Sequence, residues 1–277
     1  MQRILKLIKN AFDRVSRHKI TVYASQATLF VIISAIPFMM LIISLLKFFI
    51  PFDRADIVQF GTDLMPVDII PALNSLLDEI FSGATLSIAS VTTITALWAA
   101  SKGMMALVQG IESVYETGED RGYIKTRLLS FVYTAVFIVV IIATLLFFVA
   151  GGYLIRLTAQ HFPVVSYAIK LIYAFPVVIY FMILTFIFAV LYKLLPGINL
   201  SFWNQFPGAA LSSVGWIVFS AAYSFYINRF TDYSYIYGSL TAVVLLMLWL
   251  YFCMNIFLLG AEVNCLLKER KEKRIER

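Results

Sequence analysis

The chain has 277 residues, of which 61% are hydrophobic and only 14% are charged, and its formal net charge is +6. A soluble globular domain has about 45–50% apolar and about 25% charged residues, so this composition excludes a single soluble domain. It favours a membrane protein, whose lipid-facing surface can be as apolar as its interior.

The first 19 residues predict a basic amphipathic helix. Ile4, Ile8, Phe12 and Val15 repeat at helical spacing, and most of the cations fall on other faces. We expect this helix to lie in the inner membrane interface, with membrane lipids as partners and anionic head groups beside its cations. The alternative is a solvated helix that docks on the first span.

Six long apolar runs follow this helix, and each can cross about 30 Å of hydrocarbon as an α-helix. They are Ala24–Ile50, Ala84–Val108, Leu128–Ile155, Ile169–Leu195, Phe206–Ile227 and Tyr237–Leu267. The predicted fold is all-α, a polytopic helix bundle with six transmembrane helices over residues 20–267 and a basic tail at 268–277. The first run is longer than a signal-peptide core, so we expect it to remain as a span.

Seventeen of the 22 Lys and Arg residues lie on one side of this six-span arrangement, which predicts that both termini are cytoplasmic. The longest outer segment, Phe52–Ser82, is acidic and predicts two short helices along the outer surface. Exclusion of basic residues from the translocated side explains its charge. An acidic outer vestibule is the alternative.

Motifs of soluble enzymes are absent from the sequence, which has no phosphate loop, no HExxH and no GxSxG. His18 and His161 are predicted on opposite sides of the membrane, which argues against a histidine-based zinc site. Cys253 and Cys265 are about 18 Å apart along one helix, too far for a disulfide. We therefore expect no catalytic residue, no metal, no cofactor and no nucleic-acid partner.

Polar residues inside the predicted spans are the best candidates for a site, because burying them costs free energy. Tyr251, Asn255 and Glu262 follow one another on one face of the last span, and Asn264 comes soon after. Lys102 in the second span is predicted at the depth of Glu262, and our hypothesis is that these two residues come close together. The alternatives are that Glu262 pairs with another cation, and that Lys102 reaches the head groups alone.

Prolines interrupt two of the predicted spans. Pro37 lies in the first span and Pro176 in the fourth, where each could form a hinge or a static kink. Pro196 and Gly197 close the fourth span, and Pro207 and Gly208 open the fifth.

Six sequence blocks occur in a fixed order along nearly the whole chain. They are SAIP (Ser34–Pro37), LWAASKGMMALVQGIESVYE (Leu97–Glu116), LPGINLSFWNQFPGAALSSVGWIVFSAAYSFYIN (Leu195–Asn228), YIYGSL (Tyr235–Leu240), LWLYF (Leu248–Phe252) and GAEVN (Gly260–Asn264). This ordered pattern resembles the YihY/BrkB family of bacterial inner-membrane proteins. The family fingerprint falls here on Pro37, Trp98, Pro196, Pro207, Gly208, Tyr237, Gly238, Trp249, Gly260 and Ala261.

The resemblance implies a six-span inner-membrane protein whose activity is poorly defined. Some relatives have a ribonuclease label and others a virulence-factor label, but the family has no agreed catalytic residues to transfer. Our first hypothesis is transport or lipid and envelope handling. The second is a scaffold that transports nothing, and a ribonuclease is the distant third. The oligomeric state does not follow from the sequence.

Overall fold

The computed structural model of the chain describes residues 12–49, 86–117, 122–140, 142, 176–229 and 241–275. In these ranges the structure consists of helices and their connecting turns, without any strand. The helices are α1 (12–17), α2 (Ile20–Phe49), α3 (Leu86–Val114), α4 (Tyr123–Val140), α5 (Pro176–Leu194), α6 (Phe206–Arg229) and α7 (Thr241–Ile275), with a short 3-10 helix at Phe202–Gln205 before α6. The predicted all-helical fold class is confirmed.

Three described helical stretches are long and apolar enough to cross a membrane. They are Tyr123–Val140, Phe202–Ile227 and Val243–Arg274, and two shorter apolar stretches are Ile20–Ala35 and Tyr180–Leu194. Large apolar side chains point away from the bundle, as lipid-facing side chains do. The predicted outer segment Phe52–Ser82, the fingerprint residues Tyr237 and Gly238, and His161 lie outside the described residues.

The core lies at the end of the bundle that carries α1 and the C-terminal part of α7. There α2 packs along α3, α7 packs against α2 and α6, and α5 packs against α6. Ile20, Ile111, Tyr192 and Leu258 are fully buried in this core, each from a different helix. Val15 of α1 packs against this core, so the N-terminal segment, residues 12–19, is part of the packed structure.

The α6–α7 crossing depends on two glycines of the fingerprint. A β-carbon on Gly208 would overlap the Gly260 carbonyl oxygen and lie 2.6 Å from Cγ of Asn264. A β-carbon on Gly260 would overlap Oγ of Ser212 and lie 2.5 Å from the Tyr192 hydroxyl. The two helix backbones are therefore in direct contact, an approach that only small residues permit.

Polar groups complete this crossing. The backbone N–H of Gly208 donates to Oδ1 of Asn264 at 2.7 Å, and Nδ2 of Asn264 donates to the Gln205 carbonyl at 3.0 Å. Tyr192 donates to the Phe257 carbonyl at 2.5 Å. Since the first N–H groups of a helix have no intrahelical partner, Asn264 satisfies one of them at the start of α6.

The prolines lie at different places in these helices. Pro37 is inside the continuous helix α2, whereas the described part of α5 begins at Pro176. Buried Pro196 follows the end of α5, and Gly197 adopts a left-handed φ of 66°, which a glycine accepts without steric cost. The chain can therefore turn sharply between α5 and α6.

Replacing Gly260 by Ala should destabilise the protein by about 1–3 kcal/mol, because the new methyl group would overlap atoms of Gly208 and Ser212 on α6. The midpoint of heat-induced aggregation, followed by size-exclusion chromatography in detergent, should fall. Gly103→Ala is the matched control, since the nearest atom to its β-carbon would be 3.5 Å away. Equal midpoints for the two variants would contradict the close crossing.

Candidate functional site

A buried carboxylate on α7 connects this helix to the N-terminal segment. Glu262 is only 5% exposed, and its two oxygens have different partners. Oε1 accepts a hydrogen bond from Nε of Arg14, and Oε2 lies 2.6 Å from Nδ1 of His18. Because an ionised carboxylate only accepts, the second bond requires a proton on Nδ1. Both partners come from α1 and the turn after it, so this pairing attaches the N-terminal segment to the last helix.

Arg14 also binds a second carboxylate of α7. Its Nη2 donates to Oε1 of Glu269 at 2.7 Å, and Nη1 lies 3.1 Å from Oε2 of the same residue. This fork-to-fork geometry is the strong form of an arginine–carboxylate pair. Hydrogen bonding to Glu269, together with Glu262, raises the pKa of Arg14 above its ordinary value. The guanidinium therefore stays charged and bridges two turns of α7.

His18 lies between a buried and an exposed carboxylate. Its side chain is 3% exposed, and Nε2 lies 3.7 Å from Oε1 of the exposed Glu116. Ser113 donates to the His18 carbonyl at 3.0 Å, which fixes the turn against α3. Lys19 and Glu116 adopt φ values of 50° and 55°. A residue with a β-carbon pays about 1–2 kcal/mol for this conformation, so the backbone is strained at the residue that follows His18 and at Glu116, whose carboxylate lies beside the imidazole.

A cavity of about 690 Å³ opens beside His18. Its wall contains Arg17, Tyr23, Glu112 and Tyr123, so it brings together α1, α2, α3 and the start of α4. The volume falls within the range of about 300–1,000 Å³ found for small-molecule sites. Charges of both signs are present, and Glu112 is buried. The cavity can therefore hold a polar group that interacts with a cation on one side and with carboxylates on the other.

The predicted contact between Lys102 and Glu262 is not formed. Both oxygens of Glu262 are bound by Arg14 and His18, while Nζ of Lys102 lies 5.1 Å from the centroid of the Trp98 ring. Similar predicted depth does not determine which way two helix faces point. One alternative from the sequence describes the structure, since Glu262 pairs with another cation and that cation comes from the docked N-terminal helix.

The other predicted polar residues separate into two environments. Asn264 is buried and holds the start of α6, as described above. Asn255 is half-buried, and its Nδ2 donates at 2.8 Å to the carbonyl of Tyr251 on its own helix. The predicted stripe on the last span therefore does not form one continuous site.

Sequence reasoning missed Arg14 and His18 as partners of Glu262. The available signal was their spacing of four residues, which places both side chains on one face of a helix. The pattern alone predicts that the cations of this segment lie beside lipid head groups, because nothing in it specifies a distant carboxylate. Within the described ranges, no group of three or more His, Cys, Asp or Glu residues is arranged to hold a metal ion, and Cys253 and Cys265 are free and buried.

Replacing Glu262 by Gln should loosen the N-terminal segment, because Arg14 and His18 lose their shared anion and only the pair of Arg14 with Glu269 remains. A lost buried charge-assisted hydrogen bond costs about 1–3 kcal/mol. Trypsin should then cleave after Arg14 and Arg17 faster than in the unsubstituted protein, as measured on detergent-purified samples by mass spectrometry.

Glu272→Gln is the matched control for this substitution. Glu272 is exposed and its pair with Lys268 spans 3.9 Å, so it should contribute about 0–1 kcal/mol and leave cleavage unchanged. Identical cleavage rates for Glu262→Gln and the unsubstituted protein would show that the carboxylate does not hold the segment.

Comparison with known proteins assigns the chain to a family. The model of the family described as "Virulence factor BrkB" matches residues 11–277. A protein of Bacillus subtilis named "Putative ribonuclease-like protein YfkH" is 28% identical over 268 residues, which cover 97% of each chain. No solved structure matches the chain significantly.

Shorter similarities connect the chain to proteins named for the membrane. A UPF0761 membrane protein of Photobacterium profundum is 37% identical over 82 residues, covering 30% of this chain and 26% of that protein. One of Vibrio campbellii is 38% identical over 86 residues, covering 31% and 27%. With the family match over nearly the full chain and helices able to cross a bilayer, this protein belongs to the BrkB family of membrane proteins.

Proposed function

We propose that this protein is a six-span protein of the bacterial inner membrane that transports or otherwise handles an amphiphilic substrate. In this proposal both termini lie in the cytoplasm. The cluster formed by Arg14, His18 and Glu262 and the cavity beside it lie at the cytoplasmic end of the bundle. The excess of Lys and Arg on that side supports the orientation. The membrane-capable helices support a bundle that crosses the bilayer several times.

The observation that carries the proposal is the cavity of about 690 Å³ beside His18. Buried ionisable residues are costly, and those in a cleft are candidates for binding a ligand. Here Glu112 and His18 are both buried at the cavity wall, between helices that otherwise pack through apolar side chains.

The chemistry of the wall defines the substrate class in general terms. Arg17 provides a cation for an anionic group, while Glu112 and Glu116 provide carboxylates for an ammonium or hydroxyl group. Tyr23 and Tyr123 offer aromatic faces for the less polar part of the ligand. A molecule with a polar head and an apolar body fits this combination better than a simple ion does.

The name of the Bacillus subtilis relative does not change the proposal. Two-metal hydrolysis of a phosphodiester needs clustered carboxylates that hold both ions. The described residues contain no such cluster, so the ribonuclease-like name finds no support in these parts of the chain.

Filling the cavity should slow the movement of a fluorescent phospholipid between the leaflets of reconstituted liposomes. Gln109 lines the cavity, and its replacement by Trp should reduce the rate roughly tenfold or more, because the substrate loses its space. Leu211→Trp is the matched control: Leu211 is exposed on α6, so the rate should not change.

Two results would contradict the transport proposal. The first is equal rates for Gln109→Trp and Leu211→Trp. The second is the absence of flux for every amphiphile tested, together with a normal cellular phenotype for Glu262→Gln. That second result would favour a scaffold that holds other envelope proteins.

A further inference from the structure

Two cations converge on the ring of Trp98. Nζ of Lys102 lies 5.1 Å from the ring centroid and Cζ of Arg127 lies 5.9 Å from it. Phe30 of α2 and Phe131 of α4 add aromatic faces, at 5.6 Å from Nζ of Lys102 and 4.5 Å from Cζ of Arg127. Two positive charges, one from α3 and one from α4, thus lie beside one indole, and α2 adds an aromatic ring.

No anion compensates these charges within the described part of the chain. Neither Lys102 nor Arg127 forms an ion pair there, in contrast to Arg14, which binds two carboxylates. Both terminal nitrogens of Arg127 are buried, and neither has a hydrogen-bond partner among the described residues. Aromatic faces stabilise the cation but do not accept the in-plane N–H groups of a guanidinium. The arrangement is therefore electrostatically incomplete.

The position of the cluster brings it near the predicted inner boundary of the membrane. Lys102 lies toward the inner end of the predicted second span, and Arg127 lies in the first turns of the membrane-capable stretch Tyr123–Val140. Cations near that boundary attract anionic lipid head groups. Trp98 is 49% exposed and Leu128 beside Arg127 is exposed, so the Trp98 side of the cluster faces the outside of the described bundle, while the terminal nitrogens of Arg127 are covered. A ligand that approaches from the lipid would meet Trp98 first and would reach the guanidinium after a side-chain movement.

We propose that Arg127, Lys102 and Trp98 form a binding site for a phosphate group carried by a membrane lipid. The planar fork of Arg127 can donate two parallel hydrogen bonds to phosphate oxygens, and Lys102 adds a point charge. The indole offers an apolar face for the part of the lipid next to the phosphate. Free phosphate has the same chemistry, and the lateral access favours the lipid as its source. The site does not depend on transport, since a lipid held permanently would satisfy it equally.

Native mass spectrometry of the full-length protein in detergent tests the site. Phosphatidic acid should form an adduct, whereas diacylglycerol with the same acyl chains should not, because it lacks the phosphate. Arg127→Gln and Lys102→Gln should each weaken phosphatidic acid binding roughly tenfold, through loss of charge-assisted hydrogen bonds. Lys193→Gln is the matched control, since it removes an exposed cation at the end of α5 and should leave the affinity unchanged.

Inorganic phosphate provides the competition arm. A lipid adduct that persists in millimolar phosphate supports the lipid as the ligand. Displacement of the adduct by phosphate would overturn the assignment to a lipid and leave free phosphate as the occupant. Equal binding of diacylglycerol and phosphatidic acid would overturn the site altogether, and this comparison needs no variant.

A variant that does not fold can be replaced by a conservative one. Arg127→Lys keeps the charge but loses the planar fork, so it should bind phosphatidic acid more weakly than the unsubstituted protein and more tightly than Arg127→Gln. Unchanged affinity in every folded variant at positions 102 and 127 would contradict the site. Lipid movement in liposomes is a separate measurement, so failure of the proposed transport and failure of this site are distinguishable.

Discussion

The buried carboxylate of Glu262 is the constraint on which the described structure depends. An ionised group at this depth requires compensation, and Arg14 and His18 of the N-terminal segment provide it. The pairing fixes the turn at His18 beside the end of α3, where Ser113 binds the same turn. One wall of the cavity is thereby set by residues that are far apart in the sequence. Residues 12–19 and the C-terminal half of α7 are therefore structural parts of the bundle.

The two charged clusters differ in how completely they are satisfied. Arg14 is saturated by Glu262 and Glu269, and this closed network is typical of a structural element. Arg127 has buried nitrogens without partners among the described residues, and its positive neighbour Lys102 also lacks a carboxylate there. A protein can retain such an arrangement when a ligand supplies the missing acceptors. This contrast separates a cluster that holds helices together from one that is open to a ligand.

The sequence predicted the helical class and three of the membrane-capable stretches among the described residues. It also drew attention to Gly208 and Gly260 through the family resemblance and to Asn264 as a polar residue of the last span. It could not explain those positions, because the reason is a contact between two helices whose crossing point no local pattern specifies. The prediction of a Lys102–Glu262 contact was wrong for a related reason. Hydrophobicity gives the depth of a residue along a helix but not the direction of its side chain within the bundle. Arg14 and His18 were missed because their partner lies about 250 residues later in the chain.

A double-mutant cycle on Arg14 and Glu262 tests the central claim most directly. Arg14→Gln, Glu262→Gln and the double variant would be compared with the unsubstituted protein by their midpoints of heat-induced aggregation in detergent. If the two side chains stabilise the bundle by interacting with each other, the double variant should be no less stable than the less stable of the two single variants. The loss in the double variant should then be smaller than the sum of the single losses, by a coupling energy of about 0.5–3 kcal/mol. Strictly additive losses would contradict the account, because they would mean that the two residues contribute independently.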